Sequence, residues 1–294
     1  MSGNAKRRLF PQNSTSSLIP SRLVIITDLD GTLLDQQTYS YEAAVPAIGK
    51  LKSLGVPLIL CSSKTGGEIS ALWKELSLKD PFIVENGGAI YCPARYFPFS
   101  LPAFKSKRSF RVLELGTDVR TLRQVLAEAA ADCHATVKSF GTMSVEEICA
   151  LTGLMKDQAT LARKREYDEP FLIDGGDRER LFRILIGKGL TVTHGDRFFH
   201  LLGSHSKGKA VRTLLDLYRQ RDPSFVSVGL GDSANDLPFL MQVDRPVLVR
   251  KKDGSWDTEV TAAISGIERT RAVGPQGWRE AVERILTEAG GSSL

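Results

Sequence analysis

Two aspartates that directly follow a short β-branched segment constrain this chain more than any other feature. The segment Leu23–Thr27 predicts a buried strand, and Asp28 and Asp30 come at its carboxyl end, where open α/β sheets bind ligands. Alternate residues of a strand face the same side, so the two carboxylates would repel each other, and a bound cation would relieve the repulsion. A cation beside an aspartate nucleophile is typical of phosphoryl transfer through an aspartyl-phosphate. The alternative is a strand that ends in an ordinary Asp-Gly turn.

Strands and helices alternate at both ends of the chain, which predicts a parallel sheet with right-handed crossovers. Apolar periodicity predicts helices at 41–54, 68–76, 207–218, 237–242 and 278–289. It predicts further strands at 56–61, 82–85, 225–229 and 245–249. The fold class is therefore α/β, with a Rossmann-like parallel-sheet core formed by residues 22–92 and 204–294.

The middle of the chain, residues 93–203, differs in composition and in the order of its predicted elements. It opens with prolines and aromatic residues and then mixes helices with strands. Its predicted helices are 119–132, 145–151, 156–165 and 178–186. Its predicted strands are 110–115 and 171–174, followed by a hairpin of 190–194 and 198–202 around Gly195 and Asp196. This pattern predicts an α+β domain inserted into the core.

The basic excess of the chain lies mainly in its first residues. The formal net charge is +5, but residues 1–22 hold four basic residues and no acid, so 35 basic and 34 acidic residues remain. Residues 1–21 are predicted to be a disordered basic tail without the apolar region of a secretory signal. The nearly neutral body argues against a nucleic-acid partner, and the sequence leaves the oligomeric state open.

Cysteine spacing and hydropathy indicate the compartment. The four cysteines have no CxxC pairing and no histidine at metal-ligand spacing, which favours a reducing cytoplasm without disulfides. No apolar run approaches the roughly 18 residues needed to span a bilayer. A cytoplasmic protein without a membrane partner is expected.

Four polar motifs form one candidate site, and the first, second and fourth of them lie at the carboxyl ends of predicted parallel strands. They are residues 28–32, Ser62 and Ser63 after the second strand, Lys207 at a helix start, and residues 231–236 after a later strand. The carboxyl ends of parallel strands meet at one edge of a sheet. Taken singly, each motif has an ordinary explanation, since serines cap helices, lone lysines are mostly solvated and Gly-Asp-Ser is a common turn. Their common placement favours a catalytic site.

Each residue type suits one task in phosphoryl transfer. Ser62, its neighbouring backbone and Lys207 would bind a phosphate through hydrogen bonds and positive charge. A hard cation such as Mg²⁺ takes oxygen ligands, which Asp28, the carbonyl of Asp30 and Asp232 would supply. Asp28 would attack phosphorus, while Asp30 would donate a proton to the leaving oxygen and later activate water.

The segments DLDGTLL (28–34) and GLGDSANDLPFL (229–240) resemble the first and fourth motifs of the haloacid dehalogenase superfamily of phosphotransferases. The resemblance implies that Asp28 is the nucleophile and Asp30 the general acid/base of a magnesium-dependent phosphatase, and that the inserted domain is its cap. It implies phosphate binding by Ser62, Ser63 and Lys207, and a metal site formed by Asp28, Asp30, Asp232, Asn235 and Asp236.

A narrower resemblance comes from CSSKT (61–65), VENGGA (84–89), REYDEPF (165–171) and RFFHL (197–201), which are similar to segments of mannosyl-3-phosphoglycerate phosphatases. That family releases phosphate from a glycosyl-3-phosphoglycerate to give mannosylglycerate, a compatible solute. The implied partner is a small phosphorylated glycoside. The alternatives are glucosyl-3-phosphoglycerate or another sugar phosphate and, more distantly, a non-catalytic protein that binds anions through its basic tail.

The cap is expected to supply specificity. The substrate carries a carboxylate, for which the candidates are Arg165, Arg197 and His200, and sugar hydroxyls, for which they are Glu166, Asp168 and Glu169. The alternatives are a solvated loop for the acidic run and a basic surface for residues 163–165. Closure of such a cap would exclude competing water.

Overall fold

The first strand is buried along its whole length. In the computed structural model, which describes residues 22–195 and 197–290, β1 (Leu23–Thr27) has no exposed residue. Its alternate residues enter two separate apolar clusters, Leu23 and Ile25 on one face of the sheet and Val24 and Ile26 on the other. A parallel sheet covered on both faces requires this pattern. The predicted tail, residues 1–21, and Asp196 lie outside the described residues.

The described part of the chain contains thirteen strands and ten α-helices, numbered here in chain order. The other strands are β2 (Leu58–Leu60), β3 (Phe82–Val84), β4 (Ala89–Pro93), β5 (Lys105–Lys107), β6 (Phe110–Glu114), β7 (Thr136–Ser139), β8 (Asp168–Gly175), β9 (Thr191–His194), β10 (Phe199–Leu202), β11 (Val226–Gly231), β12 (Arg245–Arg250) and β13 (Glu268–Val273). The helices are α1 (Val45–Ser53), α2 (Gly66–Glu75), α3 (Val119–Asp132), α4 (Val145–Thr152), α5 (Lys156–Ala162), α6 (Arg178–Gly187), α7 (Lys207–Arg221), α8 (Leu237–Leu240), α9 (Thr258–Ala263) and α10 (Gly274–Gly290).

The core is a five-stranded sheet in the order β13-β12-β11-β1-β2, and every pair in it is parallel. Helices α1 and α10 contribute to the apolar cluster on one face, and α7 and α8 to the cluster on the other. The buried residues of α10 recur at helical spacing (Trp278, Ala281, Val282, Ile285, Leu286 and Ala289), so this helix presents one continuous apolar face to the sheet. The predicted α/β class with a parallel sheet is confirmed.

The segment after β3 differs from the prediction. β3 touches the parallel sheet through one bridge, Cys61 to Ile83, and otherwise pairs antiparallel with β4 in a second sheet of order β3-β4-β6-β5. The cap boundary predicted at residue 93 therefore falls at the end of a strand of this sheet. The aromatic stretch does not open a separate unit, because Phe97 and Phe104 are buried in a core cluster.

The remaining residues of the inserted segment form an antiparallel sheet of order β7-β8-β10-β9. The predicted hairpin is confirmed as β9 and β10, paired from His194 and Phe199 outward. Helices α3 and α6 pack with this sheet around Phe171, and α4 and α5 form a smaller cluster with Phe140. The name cap is used below for residues 119–202, which include these four strands and four helices.

Candidate active site

The polar residues predicted at the strand ends meet at one edge of the core sheet. Asp28 follows β1, Asp232 follows β11, and the Ser206 side chain caps the first turn of α7, which begins at Lys207. The Lys207 Nζ donates to Asp28 Oδ1 at 2.6 Å and to Asp236 Oδ1 at 2.7 Å. All of these charged side chains are buried. The structure thus brings two of the predicted carboxylates to one lysine, with Asp232 close to both carboxylates.

Burial and crowding perturb the charges of this cluster. Burial and, after it, the nearby charge of Asp236 raise the pKa of Asp28, Lys207 lowers it, and the net result is a pKa of about 7. Burial and the charges of Asp236 and Asp28 likewise raise the pKa of Asp232. Burial opposes the charge of Lys207, but Asp236 and Asp28 outweigh it and raise the pKa of Lys207. Asp28 and Asp236 share the Lys207 ammonium and Asp232 lies beside them, so in their ionised forms the three carboxylates carry more negative charge than this lysine neutralises.

This excess fits a divalent cation. Oxygen atoms of Asp28, Asp232 and Asp236 all lie within 4.8 Å of one another, and carboxylate oxygens are the ligands that hard cations prefer. The backbone N–H groups of Asp232 and Ser233 donate to Asp236 Oδ2, so Asp236 also fixes the turn that carries Asp232. The predicted metal-side residue Asn235 contacts another group, since its Nδ2 donates to Asn86 Oδ1 at 3.1 Å.

A tight glycine turn presents Asp28 and Asp30 to this cluster. Gly31 has a φ of +81° and its N–H donates to the carbonyl of Leu34. A Cβ at this position would lie 2.7 Å from Asp232 Oδ2, so only glycine fits. The Thr32 hydroxyl, which the sequence analysis did not single out, donates to Asp232 Oδ1 at 3.2 Å.

Asp30 pairs with a second lysine, Lys64, and not with Lys207 of the cluster. Its Oδ2 pairs with Lys64 Nζ at 2.9 Å, and that ammonium lies 4.9 Å from the centre of the Tyr39 ring. Asp30 Oδ1 is buried and has no hydrogen-bond partner among the described residues. Lys64 belongs to the quoted motif CSSKT, but its contact with Asp30 was not predicted. One oxygen of Asp30 is therefore anchored while the other remains available.

The two serines after β2 occupy different positions. Ser62 is buried, its Oγ accepts from the N–H of Lys64 at 3.2 Å, and its carbonyl accepts from the N–H of Asn86 at 3.0 Å. The carbonyl of Ser63 instead accepts from Arg165 Nη1 at 2.6 Å, so the cap contacts the predicted phosphate loop directly.

The cap candidates are mostly buried and paired. Asp168 and Glu169 have no exposed surface, so the solvated-loop alternative is wrong for both. Glu169 accepts from Arg123 Nε at 2.8 Å, and Asp168 lies 2.9 Å from His200 Nδ1. Of the other candidates, Arg165 is buried against the phosphate loop, Glu166 pairs with Lys107, and exposed Arg197 donates to the carbonyl of Leu151.

Two residues with left-handed backbone join the core to the cap. Glu85 (φ +47°) and Asn86 (φ +56°) follow β3 and are buried. Both oxygens of Glu85 are used, because its carboxylate accepts from the N–H groups of residues 166, 167 and 168. Burial raises the pKa of Glu85 to about 7. Both residues belong to the quoted segment VENGGA, but their contacts with the cap were not predicted.

Comparisons with known proteins agree with this geometry. Residues 25–98 match the family model of haloacid dehalogenase-like hydrolases. The glucosyl-3-phosphoglycerate/mannosyl-3-phosphoglycerate phosphatase of Methanococcoides burtonii is 40% identical over 265 residues, 90% of this chain and 97% of that protein. The mannosyl-3-phosphoglycerate phosphatase of Pyrococcus furiosus is 42% identical over 226 residues, 77% of this chain and 90% of that protein.

Solved structures share the fold at low sequence identity. The phosphatase BT1666 from Bacteroides thetaiotaomicron has a TM-score of 0.62 at 18% identity and covers 95% of this chain and 98% of its own. The sucrose-phosphatase of Synechocystis has a TM-score of 0.56, also at 18% identity, and covers 90% of this chain and 98% of its own. Both comparisons support the core-and-cap architecture.

The chain belongs to the haloacid dehalogenase-like hydrolases. Within that class it is a phosphatase, as the extended match to phosphatases of known substrate requires. Phosphatases of this family use a divalent metal ion, and the carboxylate cluster has the donor atoms for one. No helix in the described residues has both the length and the apolar character needed to cross a membrane.

Proposed function

We propose that the protein is a magnesium-dependent phosphatase that hydrolyses mannosyl-3-phosphoglycerate to mannosylglycerate and phosphate through a phosphorylated Asp28. The observation that supports this most strongly is the buried cluster of Asp28, Lys207, Asp236 and Asp232 at the sheet edge. It combines an aspartate nucleophile with donors for phosphate and ligands for a cation. Relatives that cover nearly the whole chain are named for this substrate or for its glucosyl counterpart.

The chain's own groups supply the nucleophile and the proton transfers of a balanced two-step reaction. A bound Mg²⁺ would neutralise charge on the phosphate oxygens. A carboxylate oxygen of Asp28 attacks phosphorus, the phosphorus–oxygen bond to the glycerate breaks, and Asp30 gives its proton to that leaving oxygen. Asp30 then takes a proton from water as the water oxygen attacks the same phosphorus, which releases phosphate and restores Asp28. Lys207, Ser62 and Ser63 bind phosphate oxygens during both steps.

The pair Asp30–Lys64 suits the general acid/base role. Lys64 anchors Oδ2, so the carboxyl group keeps one orientation while Oδ1 remains free to exchange a proton. Burial and Asp30 raise the pKa of Tyr39, whereas the charges of Lys64 and Arg197 lower it, so the Arg197 charge reaches the ring that the Lys64 ammonium faces. This proximity supports Arg197 as a ligand for the substrate's carboxylate.

The other cap candidates differ in the groups that they contact, and these contacts suggest a separate role for each. Arg165 contacts both the phosphate loop and, at 3.8 Å, Asp168, so it is suited to the glycerate carboxylate next to the phosphate. His200 is oriented by Asp168, and Glu169 holds Arg123, so these buried carboxylates orient neighbouring nitrogen-bearing side chains. Glu166, which is half-exposed, is the acidic candidate best placed for a sugar hydroxyl.

Phosphate release from a panel of compounds tests the proposal. The panel holds mannosyl- and glucosyl-3-phosphoglycerate, common sugar phosphates and p-nitrophenyl phosphate, each with and without Mg²⁺. The expected result is magnesium-dependent release with the highest kcat/KM for a glycosyl-3-phosphoglycerate. Because relatives carry both names, competing kcat/KM values rank the mannosyl and glucosyl forms. Broad, slow hydrolysis of all compounds contradicts the proposed substrate, and no release from any compound contradicts the proposed enzyme.

A matched pair of variants tests the nucleophile. Asp28→Asn keeps the size of the side chain and removes the attacking oxygen, so turnover should be abolished while the protein stays folded by circular dichroism. Asp216→Asn makes the same change on the exposed side of α7, where Asp216 pairs with Arg219, and should leave kcat unchanged. Near-normal turnover by Asp28→Asn would rule out the phosphorylated intermediate.

A further inference from the structure

A chain of side-chain hydrogen bonds runs from the metal side of the active site into the cap. Asn235 donates to Asn86 Oδ1 at 3.1 Å, and Asn86 Nδ2 donates to Asp168 Oδ2 at 2.8 Å. Asp168 in turn lies 2.9 Å from His200 Nδ1. The name Asn86 bridge is used below for these four residues. It links the turn that carries Asp232 and Asp236 with strands β8 and β10.

Within the Asn86 bridge, Asn86 contacts the core through its amide oxygen and the cap through its amide nitrogen. It is 2% exposed, so neither of its hydrogen bonds competes with bulk water. Its backbone is left-handed, as is that of Glu85, and such conformations cost of order 1–3 kcal/mol each when the residue is not glycine. Residues with this strain persist only where surrounding contacts hold them. Here the contacts come from both halves, since the Asn86 N–H donates to the carbonyl of Ser62 in the core and the Asn86 side chain donates to Asp168 in the cap.

Glu85 supplies the contact beside it. Its carboxylate accepts the N–H groups of Glu166, Tyr167 and Asp168 at 3.0, 2.8 and 2.9 Å, which fixes the backbone that leads into β8. In the same strand Asp168 stays ionised, because His200 and Arg165 lower its pKa in spite of its burial. The amide of Asn86 therefore donates to a charged acceptor at the start of β8.

We propose that Asn86 is a positioning residue: it sets the placement of β8, and with it Arg165 and His200, relative to the metal-side turn. The inference rests on the proposed function, because those cap residues are its candidates for the substrate's carboxylate. Asn86 itself touches no reacting atom in this account. Its loss should therefore impair substrates that the cap must recognise and spare those that only the core must hold.

Two substitutions separate the hydrogen bonds of Asn86 from its backbone. Asn86→Asp keeps the shape and the tolerance for left-handed backbone, but it replaces the amide donor with a carboxylate directly opposite ionised Asp168. Asn86→Gly relieves the backbone strain and removes both hydrogen bonds. Adding Asp168→Asn to Asn86→Asp again pairs one amide donor with one carboxylate acceptor, now with the amide at position 168 and the carboxylate at position 86. Adding Asp168→Asn to Asn86→Gly restores no hydrogen bond between these positions.

The experiment compares kcat/KM for mannosyl-3-phosphoglycerate with kcat/KM for p-nitrophenyl phosphate, which has no carboxylate or sugar for the cap to bind. Asn86→Asp should lose about 100-fold on the first substrate and about twofold on the second. The double variant with Asp168→Asn should recover about tenfold on the first substrate, and Asn86→Gly with Asp168→Asn should not recover. In parallel, hydrogen exchange in the absence of substrate should quicken at the amides of residues 166–168 in Asn86→Asp.

The outcomes separate the inference from the proposed function. Equal losses on both substrates, unchanged activity on both, or a double variant no better than Asn86→Asp overturns the positioning role. If the wild type hydrolyses p-nitrophenyl phosphate but no glycosyl-3-phosphoglycerate, the proposed substrate fails. The exchange measurement then decides the inference alone: faster exchange at residues 166–168 supports it, and unchanged exchange overturns it.

Discussion

Replacement of Gly31 by alanine tests how the turn after β1 shapes the metal site. The residue has a φ of +81°, and a left-handed alanine costs about 1–2 kcal/mol relative to glycine. The added Cβ would also lie 2.7 Å from Asp232 Oδ2, whereas ordinary contacts begin at 3.4 Å. The Asp232 carboxylate must therefore shift by about 0.7 Å, the difference between these distances. It is buried and hydrogen-bonded to Thr32, so little space is available for that shift.

A second glycine provides a matched control. Gly55 also has a left-handed backbone (φ +66°), but nothing lies within 4 Å of a Cβ built on it. Gly31→Ala and Gly55→Ala should both lose about 1–2 kcal/mol in urea denaturation, and any additional loss in Gly31→Ala reports the clash. Only Gly31→Ala should change metal dependence, with roughly 10-fold more Mg²⁺ required for half-maximal hydrolysis of p-nitrophenyl phosphate. An unchanged Mg²⁺ requirement in Gly31→Ala refutes the assignment of Asp232 as a metal ligand held by this turn.

Two further substitutions test groups that support the site. Burial raises the pKa of Glu85 from its usual 4.5 to about 7, so the folded protein holds this proton more tightly, and its stabilising effect is lost as pH rises from about 4.5 to about 7. Over that pH range the free energy of unfolding, measured with urea, should fall by about 3 kcal/mol less in Glu85→Gln than in the wild type. The same pH dependence in both proteins contradicts this expectation. Trp278→Phe removes the indole N–H that donates to Thr27 Oγ1 at 3.0 Å. It should cost about 1–3 kcal/mol and lower kcat, because Thr27 precedes Asp28; an unchanged kcat would show that this contact is not needed to place the nucleophile.

The core and its central residues could be predicted because their signals are local. The strand segment Leu23–Thr27 is recognisable from five consecutive apolar or β-branched residues, and the structure has the strand at the same bounds. Asp28 and Asp232 follow parallel strands, so the rule that such strands end at one edge was enough to bring them together. Lys207 begins a helix and was assigned to the site from its charge and from the family resemblance. The buried face of α10 likewise follows from helical periodicity.

The contacts between core and cap could not be predicted, because their partners lie far apart in the sequence. Glu85 binds backbone N–H groups about eighty residues later, and backbone donors carry no sequence signal. The predicted helix 156–165 ends at Ala162 instead, and Arg165 then reaches the carbonyl of Ser63. Local periodicity has no information on such a contact.

The missed strands have related causes. β13 begins with four charged or polar residues and pairs only with β12 in the core sheet of the described residues, so its sequence resembles a loop. β4 lies between two glycines and a proline-rich stretch, where turn signals obscured a buried strand. Short elements such as β5 and α9 are below the length at which a period can be recognised.

The central claim, transfer of the phosphoryl group to Asp28, is tested most directly by trapping that intermediate. The Asp30→Asn variant lacks the base for the second step, and p-nitrophenyl phosphate has a leaving group that needs little help from an acid. After mixing with Mg²⁺ and quenching in acid, peptide mass spectrometry should find one phosphoryl group on Asp28. The account is contradicted if the variant releases p-nitrophenol while Asp28 remains unmodified, or if the phosphoryl group is found on another residue.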